Sequence, residues 1–218
     1  MNDEELIEYG RQLAHPRGEA GLEIAEMLNE TNSGMTNAAT NALNITDGNV
    51  LLELGHGNCG HLDMLLDRAD DLQYNGLEVS EDMYREASRR NSSKVESGTA
   101  NFFLYEGEIL PFEDETFDRV ITVNTIYFWK DAAAMCKELA RVLNPGGVIA
   151  LAFGEKFFMK ELPFTRQSFN LVDSDEVVLW LELAGLTIEQ KVSKVEKVKT
   201  RSGDLVDRPY TVVSASKK

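Results

Sequence analysis

Apolar and polar positions along the chain fall into two regimes. Over residues 1–47 the apolar positions recur at helical spacing: Leu6, Ile7, Leu13 and Ala14, then Leu22, Ile24, Ala25 and Leu28. Pro16 and Gly18 divide two helices, residues 29–33 form a polar break, and residues 35–43 read as a third short helix. Residues 1–47 are expected to form a helical cap or lid on a main domain of residues 48–218.

From Asn49 onward the period changes. Residues 50–54, 72–79, 101–105, 117–124 and 148–153 are short apolar runs that suit buried strands. Helices are predicted between them over residues 60–69, from the Ser80 cap to about Arg90, and over 131–143. Residues 91–99 read as a polar loop. Asn144-Pro145-Gly146-Gly147 closes the third helix. A further helix over 174–184 ends at Gly185. Residues 187–200 and 210–216 then read as two strands with Ser202-Gly203-Asp204 in the turn between them. Strands alternating with helices predict an α/β, Rossmann-like, doubly wound sheet of seven strands, closed by a C-terminal antiparallel hairpin.

Composition narrows the partners. The chain of 218 residues carries 22 Lys and Arg against 37 Asp and Glu, a formal charge of −15. Phosphate backbones and anionic lipid surfaces repel such a chain, so neither nucleic acid nor a membrane is an expected partner. The longest apolar uncharged run, residues 142–154, is far below the roughly 20 residues of a spanning helix and contains Asn144, Pro145, Gly146 and Gly147. Two cysteines and an acidic start without an apolar core suit a reduced, cytoplasmic setting. A monomer or a homodimer is expected.

Ligands of open α/β sheets bind beyond the carboxyl ends of the strands. The first strand ends in Glu53-Leu54-Gly55-His56-Gly57-Asn58-Cys59-Gly60, where Gly55, Gly57 and Gly60 fit G-x-G-x-x-G. Such a loop lets backbone approach a ligand closely. Glu53 beside it would repel a pyrophosphate and attract an ammonium or sulfonium, which weighs against a dinucleotide. The second strand ends at Glu78, eighteen residues after Gly60, where a carboxylate can accept both hydrogen bonds of a ribose diol. Glu108 and Ile109 come after the third strand and suit an adenine amine and ring face. Asn124 ends the fourth. His56, Cys59, His61 and Asp63 lack the spacing of a zinc quartet, so no metal is expected.

At these residues the chain resembles the class I S-adenosylmethionine-dependent methyltransferases, closest to the small-molecule branch called methyltransferase type 11. The matching stretches are VLLELGHGNCG, GLEVSEDM, GEILPFEDETFDRVITVNTIYFW and ELARVLNPGGVIAL, over about residues 49–154. The resemblance implies S-adenosyl-L-methionine as cofactor. Glu53, Gly55, His56 and Gly57 would lie at its methionine part, Glu78 and Val79 at the ribose and adenine, Glu108 and Ile109 at the adenine, and Asn124 at the reaction centre. The family usually has glycine where this chain has Cys59.

The expected activity is methyl transfer to a small-molecule acceptor, driven mainly by proximity and orientation. Tyr127, Trp129 and Phe153 are candidate substrate-pocket residues, with Phe157, Phe158 and residues 155–170 as a closing segment. His15 and Tyr127 are the candidate general bases, and Tyr9 and Arg11 could also reach the site from the cap. Two readings stand beside this one: a cofactor-binding partner protein that does not turn over, and a nicotinamide-dependent oxidoreductase. Lys191, Lys194, Lys197, Lys199 and Arg201 read as charges protecting an exposed strand.

Overall fold

The computed structural model describes residues 2–199 and 203–218. The expected strand end at Thr200, Arg201 and the Ser202 turn position lie outside the described residues. Seven strands form one sheet in the order β3-β2-β1-β4-β5-β7-β6. They are β1 (Val50–Leu54), β2 (Gln73–Glu78), β3 (Ala100–Leu104), β4 (Phe117–Val123), β5 (Leu143–Gly154), β6 (Leu186–Lys199) and β7 (Leu205–Lys217). The first five run parallel, and β7 pairs antiparallel with both β5 and β6. The expected doubly wound sheet and its reversed terminal hairpin are both present.

Alternation along each strand sends neighbouring residues to opposite faces. Leu51, Ile121, Ala150 and Val212 pack on one side with α3 (Ser33–Ala42), α4 (Leu62–Leu66) and α5 (Glu81–Arg90). Leu52, Val120, Leu151 and Val213 pack on the other with α7 (Ala132–Val142) and α9 (Ser174–Leu183). Ser80 caps α5 by accepting the Met83 N–H at 3.2 Å, and Asp131 caps α7 through Ala134 N–H at 2.9 Å. The region read as a polar loop holds one further turn of helix, α6 (Ser92–Glu96). Residues 155–170 fold as α8 (Lys156–Met159) and a 3-10 turn at Pro163–Thr165.

Residues 1–47 hold three helices in two settings. Helices α1 (Asp3–Ala14) and α2 (Gly18–Thr31) lie over the strand ends, whereas α3 belongs to the sheet. Met35, Ala39 and Leu43 are completely buried there against the strands. Small residues on α3 let it sit close to the sheet, a role that helical periodicity alone does not separate from a surface helix.

Candidate functional site

A cavity of about 1050 Å³ opens beyond the carboxyl ends of β1, β2, β4 and β5. Its floor is the loop after β1. Gly55, at φ +74°, donates its N–H to Leu77 O at 2.8 Å. A side chain at Gly55 would strike Thr125, so both the turn and the close approach require glycine. Cys59 occupies a left-handed conformation at φ +49°, held by its N–H to His56 O at 3.0 Å and by Asn91 Nδ2 donating to its carbonyl.

Glu78, 5% exposed, ties this loop to β2. It accepts N–H bonds from Gly57 at 2.9 Å, Val79 at 2.8 Å and Ser80 at 3.1 Å. Burial raises its carboxyl above the ordinary value, and the three amides pull against that rise. A carboxylate has about four lone-pair sites, so with three amides bound one remains for a ligand hydroxyl.

Glu53 is equally buried but already engaged. His61 Nε2 lies 2.8 Å from one of its oxygens and 3.0 Å from the other, and Tyr74 O–H donates to it at 2.6 Å. Burial works against the Glu53 charge, but His61 and Tyr74 outweigh it and hold its pKa down. Burial also opposes charge on His61, and Glu53 outweighs that in turn, so the imidazole is raised. Cys59 Sγ lies 3.3 Å from Tyr74 Oη, and burial drives its thiol well up. Glu53, Cys59 and His61 each place a ligand atom within 4.8 Å of the others, a set that could hold a soft divalent ion. Within the cluster His61 is bonded to Glu53, while Cys59 is bonded to Tyr74.

His15 and His56 both line the cavity, and each has one buried ring nitrogen without a partner among the described residues, Nδ1 and Nε2 respectively. His56 Nδ1 is bonded to Gly57 O at 2.8 Å, and burial lowers its pKa to about 4. It is a neutral donor or acceptor near pH 7. His15 is also lowered, by burial and then by the charge of Arg17. Its position is at the β2 end, because Ser80 O–H donates to the next carbonyl, Pro16 O, and Gly18 N–H donates to Asp82.

At the other end stands Asn124, in a left-handed turn at φ +58°. Its amide reaches Asn32 Oδ1 at 3.2 Å, linking β4 to the cap. Tyr127 Oη accepts the Gly154 N–H at 2.5 Å and lies 3.3 Å from Asn124 Oδ1. Burial pushes its phenol well above the ordinary range. Those bonds tie Tyr127 to the end of β5 and to Asn124. Arg208 crosses from β7 to bond Thr31 O and Asn32 Oδ1 while paired with Glu196 at 2.6 Å.

The cavity thus brings together Glu53, Gly55, His56, Gly57, Glu78, Val79, Asn124, Tyr127 and Trp129. Glu108 reaches its rim, where it pairs with Lys130 at 2.7 Å. Two expected residues lie elsewhere. Ile109 is 74% exposed and outside the lining, because the loop after β3 turns it to solvent. Phe153 is fully buried in the core, since the fifth strand alternates it away from the cavity, so it is not a pocket residue. Arg11 points outward beside Glu8. The contributions of Asn32, Phe164, Phe169 and Arg208 carried no local signal, because they reach the site only through tertiary packing. Lys191 and Lys197 pair with Asp175 and Asp207 on the hairpin's flank.

Fold and site together define a Rossmann-like protein with one large cleft at the carboxyl ends of its strands. Residues 52–151 match the family model described as a methyltransferase domain. The chain is 34% identical over 113 residues to "Uncharacterized methyltransferase YdaC" of Bacillus subtilis (strain 168), covering 51% of this chain and 59% of that relative. It is 30% identical over 137 residues to "Methyltransferase GfsG" of Streptomyces halstedii, covering 63% and 45%. The chain spans about half the length of these curated relatives. Among solved structures, the geranyl diphosphate C-methyltransferase of Streptomyces coelicolor A3(2), in complex with Mg2+, geranyl diphosphate and S-adenosyl-L-homocysteine, superposes with a TM-score of 0.70 at 14% identity, covering 95% of this chain and 87% of that one. The [4+2]-cyclase SpnF superposes at 0.66 and 16% identity, covering 84% and 80%. In sequence blocks and in fold, the chain is similar to the class I S-adenosylmethionine-dependent methyltransferases. Among the described residues, no helix is long and apolar enough to cross a membrane.

Proposed function

We propose that the protein binds S-adenosyl-L-methionine and transfers its methyl group to a small-molecule acceptor. The observation that carries this reading is the buried Glu78 carboxylate, bonded to Gly57 N–H beneath a cavity at the strand ends. The cavity, about 1050 Å³, stands at the upper end of the roughly 300–1,000 Å³ of small-ligand pockets, room for a cofactor with an acceptor beside it.

The cofactor would supply a methyl group that is electrophilic without activation by protein. The chain's own residues would then bind, orient and exclude water. Glu78 would accept a ribose hydroxyl, with Val79 beside the base and Glu108 at the rim. The backbone of Gly55 and Gly57 would pass close to the methionine part. The unpartnered nitrogens of His15 and His56 suit a polar ligand in the same cleft. Glu53 would anchor the loop through His61 and Tyr74. Asn124 and Tyr127 would fix the wall where the two ligands meet.

Titration calorimetry of S-adenosylmethionine and S-adenosylhomocysteine into the purified protein tests the reading. Binding of both, followed by turnover on a screened acceptor, supports it. Binding without turnover on any acceptor favours a cofactor-binding partner protein, since fold does not fix function. Failure of both ligands with binding of NAD(H) would transfer the case to an oxidoreductase.

A further inference from the structure

We infer that an aromatic-walled chamber of this cavity takes an uncharged, ring-bearing hydrophobic molecule and turns away carboxylates and phosphate esters. This rests on the proposed cofactor reading and names the class of its second ligand.

The chamber is the part of the cavity walled by Tyr9, Tyr127, Phe128, Phe164 and Phe169. Helix α1 leads to it: His15 caps its end beside Ser80, and Tyr9 lies six residues back, about 9 Å along the axis. There Tyr9 meets Phe164 edge-on, with ring centres 5.3 Å apart. Phe164 meets Phe169 at 5.8 Å, and Phe169 meets Phe128 at 4.7 Å and Tyr127 at 5.5 Å. All five line the cavity, yet they come from α1, the turn after β4 and the segment after α8. Gly10 allows this closure, since a side chain there would meet Phe164 O at 2.7 Å. Rings in edge-to-face contact present both faces and edges to a flat guest and favour one beyond its area burial.

Charge excludes the alternative. Arg208, a cation of the cavity lining, is committed to Glu196, Asn32 Oδ1 and Thr31 O. Lys130 is held by Glu108 and His61 by Glu53, while Lys199 lies exposed at the rim. The lining also carries Glu53, Glu78, Glu106 and Glu108. An anionic guest would enter against a chain of charge −15 and would have to displace Glu196 from Arg208.

The test uses the protein saturated with S-adenosylhomocysteine and two probes with the same rings, 1-naphthol and 1-hydroxy-2-naphthoate, measured by calorimetry. The expected result is naphthol binding with the carboxylated probe at least tenfold weaker. Phe169→Ala should weaken naphthol at least tenfold and leave S-adenosylhomocysteine affinity unchanged. Phe169→Leu, which keeps most of the volume, should fall between the two. Equal or tighter binding of hydroxynaphthoate overturns the inference, as does absence of naphthol binding to the loaded protein. If S-adenosylhomocysteine fails to bind while naphthol binds with the same preference, the cofactor reading falls and the chamber's class stands.

Discussion

His61 Nε2 and the Glu53 carboxylate stand 2.8 Å apart in a region where Glu53 is only 3% exposed. The pair turns the acid at the end of β1 from a free charge into a loop anchor. His61→Gln should therefore leave a buried carboxylate short of its countercharge and destabilise the fold by roughly 3 kcal/mol. The sign with pH comes from the two directions. The His61 pKa is raised in the fold, so its contribution is full below about pH 6.5 and is lost as pH rises through the raised value. Glu53 is depressed, so its contribution is present above about 4.5 and lost as pH falls through the lowered value. Urea unfolding should show a larger gap between wild type and variant at pH 6 than at pH 9. An equal gap at both would show that the ion pair adds nothing to the hydrogen bond.

The buried imidazole of His56 predicts acid sensitivity of the opposite kind. Its pKa falls from 6.5 to about 4 on folding, so the unfolded chain binds more protons between those values. Stability is full above about pH 6.5 and declines toward pH 4, by roughly 3 kcal/mol at most. His56→Gln cannot titrate. Its stability measured at pH 7.5, 6 and 5 should fall less steeply than that of wild type, and parallel slopes would remove His56 as the cause.

Glu78→Gln keeps an acceptor for the loop amides but loses the charge and one acceptor for a diol. S-adenosylhomocysteine affinity should drop by roughly 1.5–3 kcal/mol, about ten- to a hundredfold. Calorimetry reads this directly, with thermal melting as the control for folding. An unchanged affinity would displace Glu78 from the cofactor site.

Tyr127→Phe leaves the Gly154 N–H without its acceptor inside the protein. The expected loss is about 1–3 kcal/mol of stability. The pH profile of turnover, once an acceptor is in hand, should keep its shape. A lost alkaline or acidic limb in that profile would restore Tyr127 as a proton-transfer group.

How far the fold and site are legible in the sequence depends on the range of the contacts. Alternating apolar runs, the Ser80 and Asp131 caps and the Gly55–Gly60 loop are local chemistry. They specified the succession of β1 to β5 along the chain and the strand-end position of Glu53, Glu78 and Asn124. Phe153 and Ile109 went astray because a run of apolar residues does not say which face of a strand, or which side of a loop, each one takes. A shift of one residue reverses the answer.

The sequence by itself determined the α/β layering, the terminal hairpin and the residues that could meet at the carboxyl ends of the strands, because local periodicity and turn chemistry depend only on neighbours along the chain. Tertiary structure alone decided that α3 joins the sheet, that His61 and Tyr74 close on Glu53, and that Arg208 is spent on Glu196 and the cap. It also assembled Tyr9, Phe128, Phe164 and Phe169 into one wall. These contacts join residues up to 177 positions apart. Their pairing depends on how layers pack and where the long hairpin folds back, which no local pattern encodes.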